Sequence, residues 1–559
     1  MQDKRAANIL ELYENLETDR QTIAPVLQEI RNFIMPLRDS VTSGRRAMGE
    51  AVSVHRRDST ACYAQELLST AIVGALMPDG APDMKLIPRE PALQEDLPTR
   101  TWLEDASRRI EQDLTGMHGN FREEAMAAIT DAIGYGTTAF FTEGLPPNPL
   151  GNFGGFRFET WEPRQYVFTE GNAGVDTVYR ELKLTARQAW GKFKKEPGFL
   201  GLGERMEKAL ESDKPEDIRR EFSFIQAIEP NPDPESGKTF AARFPIASTY
   251  ICKEDKRRVL EGGYREMPVS VARWSKLSDD KGWGRGLGWL ALPHQKTLNR
   301  TEEIAMRSFT KDLAPPLVLP HRGIVGQVNT APNAILHLDT NHAGNMRPYY
   351  LASNINWQGK EMMDRKHQEI IYRIYLVDQL RLDEKTGRTA TEVEYRRSIM
   401  LRLLGPVLSR FVPELFNSTL LRVFAMKLRA GAFPPLPPAL AEHATRQNGE
   451  MEIDVEYQGP IAQATRMQEP VAIQNTLEMG SAIAQATGDA SVLDNLDTDN
   501  AFTTAALRLG APASLLRDPK AVSEIREARA RREAEQGALI EAEQVANIQK
   551  TAQEAGQMT

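Results

Sequence analysis

Gly282-Trp-Gly-Arg-Gly-Leu-Gly288 opens the stretch that decides the fold, residues 282 to 430. A helical segment follows and ends near Lys311-Asp312. A segment rich in Pro, Val and Asn then runs from Ala314 to Tyr350 and is expected to be β-rich. The next apolar periodicity predicts a second helix from about Trp357 to Leu376. The charged loop Asp378-Gln-Leu-Arg-Leu-Asp-Glu-Lys-Thr-Gly-Arg388 comes after it, and Thr389-Ala-Thr-Glu-Val393 opens a long helix reaching about Ala430. Two helices with an insert between them and a hydrophilic loop behind them do not outline a catalytic pocket. They outline a part that packs beside copies of itself.

Outward from this stretch, residues 151 to 274 are dominated by strands. Phe156-Arg-Phe-Glu-Thr-Trp161 alternates apolar and polar side chains, as a half-buried strand does. Tyr166-Val-Phe-Thr169 and Val175 to Arg180 form an expected hairpin, and strands follow at Phe222–Ile228, Ala247–Cys252 and Arg258–Glu261. Before them, residues 4 to 35 read as two amphipathic helices ended by Pro36, with further helices near 59–76, 101–114 and 120–133 and a strand at Met84–Pro88. Beyond the core stretch, Gly405-Pro406 and Pro413 must kink or restart the long helix, because proline has no N–H to donate. Gly431-Ala-Phe-Pro-Pro-Leu-Pro-Pro438 is a stiff connector. A strand at Met451–Tyr457 and a charged C-terminal helix from Ala521 to about Gln549 complete the chain, whose fold class is α+β and mainly helical.

At 559 residues the chain exceeds what one core supports, so two to four packed regions are expected. The formal net charge of −8 argues against tight, sequence-blind gripping of nucleic acid, which needs many Lys and Arg contacts to phosphate. It is compatible with DNA sliding past an acidic wall. Two cysteines, Cys62 and Cys252, make no disulfide framework. The polar start Met1-Gln-Asp-Lys-Arg5 and the short apolar run Ala71–Met77 give no expectation of a leader or a membrane span, so a soluble cytoplasmic protein is expected.

No enzyme signature is present, and neither a cofactor nor a metal is expected. A phosphate-cradling GxxxxGK[ST] loop is absent, and the glycines at 282, 284, 286 and 288 lack dinucleotide spacing. They read as a tight corner leading into a helix. His321, His337 and His342 fit no metal-ligand spacing and read as surface or interface residues. Asp378, Asp383 and Glu384 are offset by Arg381, Lys385 and Arg388, which reads as a solvated loop. Trp283, Trp289 and Trp357 are expected to be packing anchors.

Six places together resemble the bacteriophage portal proteins, the head-to-tail connector family of short-tailed, podovirus-type phages. They are Asp19-Arg20 with Asn32-Phe-Ile-Met-Pro36, Ala71-Ile-Val-Gly-Ala-Leu-Met-Pro78, and Asn120-Phe121 with Gly134-Tyr-Gly-Thr-Thr-Ala139. The others are Trp161-Glu-Pro-Arg-Gln-Tyr166, Trp283-Gly-Arg-Gly286 with Leu298-Asn-Arg300, and Thr389-Ala-Thr-Glu392. Met84 stands where the family usually has an aromatic residue, and Gly286 where it has a serine.

The resemblance implies an architecture of wing, stem, clip and crown. Residues 1–281 correspond to N-terminal helices and wing, 282–312 to the first stem helix and 313–350 to the clip. Residues 351–376 correspond to the second stem helix, 377–391 to the tunnel loop, 392–500 to a long kinked helix and the rest of the wing, and 501–559 to the crown helix. It further implies a ring of roughly twelve copies at the capsid vertex of the virion, assembled in the host cytoplasm, with double-stranded DNA passing through its channel. Implied partners are the terminase large subunit, tail adaptor and nozzle proteins, major capsid and scaffolding proteins, and internal core or ejection proteins. No energy source is legible, so a separate ATPase would drive translocation.

In such a ring each loop residue becomes a belt. Arg381, Lys385 and Arg388 would touch phosphates briefly, while Asp378, Asp383 and Glu384 keep those contacts from becoming traps. Leu380 and Leu382 would narrow the empty channel, and Gly387 would give the loop a hinge. The clip, with His321, Arg322, Asn329 and His337, would meet the motor and then the tail adaptor. Two other classes compete. A collar ring that never contacts DNA would be indifferent to tunnel-loop charge, and an enzyme would need a convergent His/carboxylate cluster.

Overall fold

The computed structural model describes residues 3–42, 56–78, 80–82, 84–116, 119–146, 153–172, 174–212, 214–231, 243–277, 281–321, 331, 333–339, 349–350, 356–380, 403–446, 451–457, 468–487, 491, 496–508, 515, 517 and 521–537. The chain divides into two units: Met1–Asp83 with Ile110–Phe433, and Met84–Arg109 with Pro434–Thr559.

The first unit begins with α1 (Lys4–Phe33), one continuous 30-residue helix capped by the Asp3 carboxylate. This corrects the expectation of two helices. Pro25 lies inside it, but Ala24, Leu27 and Ile30 are buried around the proline and hold the helical path across the missing hydrogen bond. α2 (Thr60–Leu76) follows and, beyond α3 (Pro91–Glu95) and α4 (Leu97–Thr115) in sequence, α5 (Phe121–Gly134) leads into β2 (Thr137–Gly144). β2 is the centre of a three-stranded antiparallel sheet between β3 (Phe156–Trp161) and β9 (Val269–Arg273). Phe121, Phe140 and Phe158 meet edge-on and stacked at 5.0 to 5.9 Å on one side of it.

A second antiparallel sheet has the order β4 (Tyr166–Gly171), β5 (Gly174–Thr185), β6 (Glu221–Pro230), β7 (Ile246–Cys252), β8 (Arg257–Tyr264). Period-two alternation sorts its side chains. Val167, Tyr179, Ile225, Ala227 and Ile251 face the start of α1 through Ala6, Ile9, Leu10 and Tyr13. Phe222, Phe224, Tyr250 and Cys252 lie on the opposite face and pack against α6 (Ala186–Phe193) and α7 (Glu204–Glu211), which the short α8 (Pro215–Arg219) follows in sequence. α6 starts at a reciprocal capping box between Thr185 and Gln188, the signature its sequence carries. Of the two cysteines, Cys252 is buried in this core and both are free thiols.

The helix pair comes next. α9 (Leu287–Leu313) and α10 (Trp357–Ile374) bracket a small sheet in which β10 (Leu317–His321) pairs parallel with β11 (Ile335–Asp339) and antiparallel with β12 (Tyr349–Tyr350). A single turn, α11 (Val377–Leu380), follows α10. Residues 403–412 are helical (α12) and include Gly405 and Pro406. Pro413 then opens a π-helical turn, Pro413–Asn417, which passes into α13 (Ser418–Arg429). The proline expected to kink the long helix thus widens one turn of it.

In the second unit β1 (Met84–Pro88) pairs antiparallel with β13 (Ile453–Tyr457), Met84 opposite Tyr457 and Pro88 opposite Ile453. Ser107 accepts the Leu86 N–H at 2.9 Å, and Arg89 forks onto Asp454. α14 (Pro438–Arg446) occupies part of what the sequence suggests is a connector and mixed segment. Helices also span Gln468–Thr487, Thr498–Arg508 and residues 521–537. The helix Thr498–Arg508 runs across residue 500, where the sequence reading draws a border.

Candidate functional site

The launching corner of α9 is built from two glycine segments pressed together. A Cβ on Gly136 would lie 2.4 Å from the Gly284 carbonyl oxygen, one on Gly286 2.3 Å from the Ile133 oxygen, and one on Gly288 2.4 Å from the Gly134 oxygen. Gly136 also has φ +105°. No side chain fits where these backbones cross. Four hydrogen bonds tie the crossing: Trp274 N–H donates to the Gly136 carbonyl, Gly284 N–H to Thr137 Oγ1, Arg285 N–H to the Ser275 carbonyl, and Trp289 Nε1 to the Tyr135 carbonyl. Trp283 is buried and stacks on Tyr166 at 5.6 Å. The glycine run is therefore a packed corner leading into a helix.

The other sequence motifs of this unit also hold structure together. Asn120 donates to the Phe158 carbonyl and accepts the Phe158 N–H, fastening α5 to β3. Arg20, buried and forked onto Glu17, also reaches the Pro163 carbonyl and so joins two of the quoted motifs. Asp131 is buried beside Arg38, whose Nε lies 2.8 Å from it. Burial outweighs that cation and pushes the Asp131 carboxyl up to about 6. Glu162, lining the same cleft, is pushed up to about 7 by burial and then by Asp39.

α9 changes character along its length. Gly288, Ala291, Leu292, Gln295, Leu298 and Asn299 are buried, and from Arg300 onward only Ala305 is. Gln295 pins the inner half: its Oε1 accepts the Ala61 N–H and its Nε2 donates to the Asp58 carbonyl at 2.8 Å. α10 runs antiparallel to α9, as the pairs His294–His367, Thr301–Asp364 and Glu302–Lys360 require. Its far end is anchored where Tyr375 donates to Gln65 at 3.2 Å. Partial burial, and then the neighbouring His367 ring, hold the His294 imidazole below the usual histidine value.

The outer halves of both helices expose apolar side chains. Met306, Phe309 and Leu313 are 57, 54 and 71% exposed, and Met362 is 76% exposed. Trp357, expected as a core anchor, is 45% exposed and belongs to this surface instead, because α10 starts beyond the reach of the core. This surface is the feature that the sequence reading misses. The 306, 309, 313 spacing marks one helix face, but periodicity alone assigns such a face to the interior of its own chain.

Among the named site residues, Asp378 sits exposed in α11 and Leu380 ends that turn. Arg381, Leu382, Asp383, Glu384, Lys385, Gly387 and Arg388 lie outside the described residues, as do Arg322, Asn329 and the helix start at Thr389. His321 and His337 fall on adjacent strands of one ladder, where Leu319 pairs with His337 and His321 with Asp339. Among the described residues no three His, Cys, Asp or Glu side chains gather as a metal-ligand set. No described helix is long and apolar enough to cross a membrane.

Comparison with known proteins bears on what this arrangement serves. The chain is 23% identical over 542 residues to the portal protein of Salmonella phage epsilon15, covering 95% of this chain and 92% of that one. It is 23% identical over 544 residues to the probable portal protein of Bordetella phage BPP-1, covering 95% and 93%. A chain from the neck of an empty GTA particle aligns over 80% of this chain and 95% of its own at 11% identity, with a TM-score of 0.34. The family described as bacteriophage head to tail connecting protein matches residues 6–516, and the chain belongs to that family.

Proposed function

We propose that the chain is the portal subunit of a short-tailed phage. Roughly twelve copies close head to tail into a ring at one capsid vertex, the usual outcome when a heterologous interface rotates back on itself. Double-stranded DNA enters through the ring under a separate terminase motor, is retained, and leaves through the tail. In this reading α9 and α10 are the stem, β10 to β12 belong to the clip, and residues 377–391 line the channel. Arg381, Lys385 and Arg388 make brief phosphate contacts, Asp378, Asp383 and Glu384 offset them, and Leu380 and Leu382 narrow the empty bore. His321, Arg322, Asn329 and His337 belong to the surface that meets the motor and later the tail adaptor. Capsid, scaffolding and internal core proteins meet the ring elsewhere, and the subunit itself carries out no bond chemistry.

The observation that carries this reading is the exposed apolar face on the outer halves of α9 and α10. A lone soluble chain gains nothing from Met306, Phe309, Leu313 and Met362 in water, whereas packing copies side by side buries them. Light scattering and negative-stain imaging of the purified protein test it. A particle of about twelve times the 62.6 kDa chain, with a central hole wide enough for a duplex, is expected. A small closed dimer without a hole would refute it. For the channel residues, Arg381→Glu or Arg388→Glu should lower packaged or retained DNA while rings still form. Unchanged heads would remove those residues from the channel.

A further inference from the structure

We propose that His294 and His367 together chelate one divalent transition-metal ion, Cu²⁺ most tightly and Ni²⁺ or Zn²⁺ less so. One ring stands on α9 and the other on α10, and their Nδ1 atoms lie 3.0 Å apart. The ring centroids are 5.3 Å apart and the planes tilt by 43°. Imidazole nitrogens sit at about 2.0 to 2.1 Å from such ions, so two of them 3.0 Å apart subtend an angle of about 94° at the metal. That is the edge of a square plane or an octahedron, which Cu²⁺ and Ni²⁺ prefer, and it is narrower than a tetrahedral zinc site uses. The same approach accommodates a hydrogen bond when one Nδ1 carries a proton and the other does not. When the ion binds, the ring that carried the proton on Nδ1 carries it on Nε2 instead, which frees both Nδ1 lone pairs for the metal.

The helices hold the two rings in place. Thr301 donates to Asp364 at 2.8 Å, and Lys360 ties Glu302 to Asp364 one turn away, so the pair is set before any ion arrives. Those bonds also occupy Asp364, the nearest acidic side chain along α10 on the N-terminal side of His367. Both rings are half-buried, which leaves a path for exchange. Two protein ligands leave the remaining coordination positions to solvent, so this is an exchangeable clasp between α9 and α10 rather than a closed structural site. It rests on these two helices alone and holds whether or not copies assemble.

The probe is Cu²⁺ alone, added to untagged full-length protein in a non-chelating buffer and followed by electron paramagnetic resonance and calorimetry. One ion per chain with hyperfine coupling to two imidazole nitrogens is expected. His294→Gln or His367→Gln should each weaken binding by roughly tenfold or more, since even losing an outer-shell partner costs that much. His443→Gln should leave this binding unchanged. Full affinity in His367→Gln, or coupling to a single nitrogen, overturns the proposal. Should the variants fold poorly, the wild-type protein decides. Cu²⁺ should protect both His294 and His367 from diethylpyrocarbonate, mapped by mass spectrometry, and equal modification with and without the ion overturns it.

Discussion

The glycine crossing at the base of α9 and the outer half of the same helix follow opposite rules, fewer than thirty residues apart. At the base, backbone lies on backbone, the Gly284 N–H and the Trp289 indole N–H each meet an acceptor, and one added carbon has nowhere to go. Toward Leu313 the helix is nearly unsupported by its own chain and shows methionine and phenylalanine to solvent. A region finished within one chain encodes a unique local geometry. A region unfinished within one chain encodes an assembly. Most sequence-level descriptors would score the two alike, since both are apolar and both lie in or beside one helix.

The contrast can be broken first at its rigid end. Gly136→Ala places a carbon 2.4 Å from the Gly284 oxygen at a positive-φ position and should cost on the order of 4 kcal/mol, read as the loss of unfolding midpoint in denaturant. A loss under about 1 kcal/mol would mean that the crossing is slack and the comparison false. A step outward along α9, Gln295→Leu strands the Ala61 N–H and the Asp58 carbonyl and should cost roughly 2 to 3 kcal/mol in the same assay.

The Asp131 pair sharpens the picture of the rigid body through pH. Its folded value of about 6 stands above its ordinary 3.8, so the folded state holds the proton more firmly than the unfolded state. Asp131 therefore takes stability away as pH rises from about 4 to about 6. Asp131→Asn should gain on the wild type across that window and run parallel to it outside, in melting temperatures taken at each pH. A constant offset would show that Arg38 cancels the effect of burial, and a wild type gaining on the variant as pH rises would show that Arg38 dominates. The smallest effect on folding is expected at the other end of α9. Phe309→Ser should shift the stability of the isolated chain by no more than about 0.5 kcal/mol while lowering the ring fraction in size-exclusion chromatography. An equal loss of fold would place Phe309 in its own core.

These contrasts also mark what the sequence exposes. The alternation in Phe156–Trp161 is local and legible, as are the lengths of α9 and α10. Met84–Pro88 and Ile453–Tyr457 each show a strand, yet nothing local says that they pair with one another. The unbroken passage of α1 through Pro25 is set by burial on both sides of the proline, a tertiary effect that overrides a local breaker. At the helix pair, the order of elements points to packing against copies, but which side chains are left uncovered is not legible, because periodicity reports a face and not what covers it. The glycine run at 282–288 announced a close approach without naming Gly134–Gly136 as the other side.

The β1–β13 ladder carries a consequence in time. Arg89 meets Asp454 across 365 residues of chain, and the second unit is assembled from a segment that interrupts the first in sequence and from the stretch that follows it. At about 5 to 20 residues per second on the ribosome, Met84–Pro88 waits roughly 20 to 70 seconds for its partner strand to be made. During that interval a bare strand edge is present beside a nascent chain whose intervening segment can already fold. A polysome brings several such edges together, each able to pair with its neighbour's. Slow stretches of translation between residues 110 and 450 would lengthen the exposure, and faster ones would shorten it, so how long this edge stays bare depends on synthesis rate as well as on sequence.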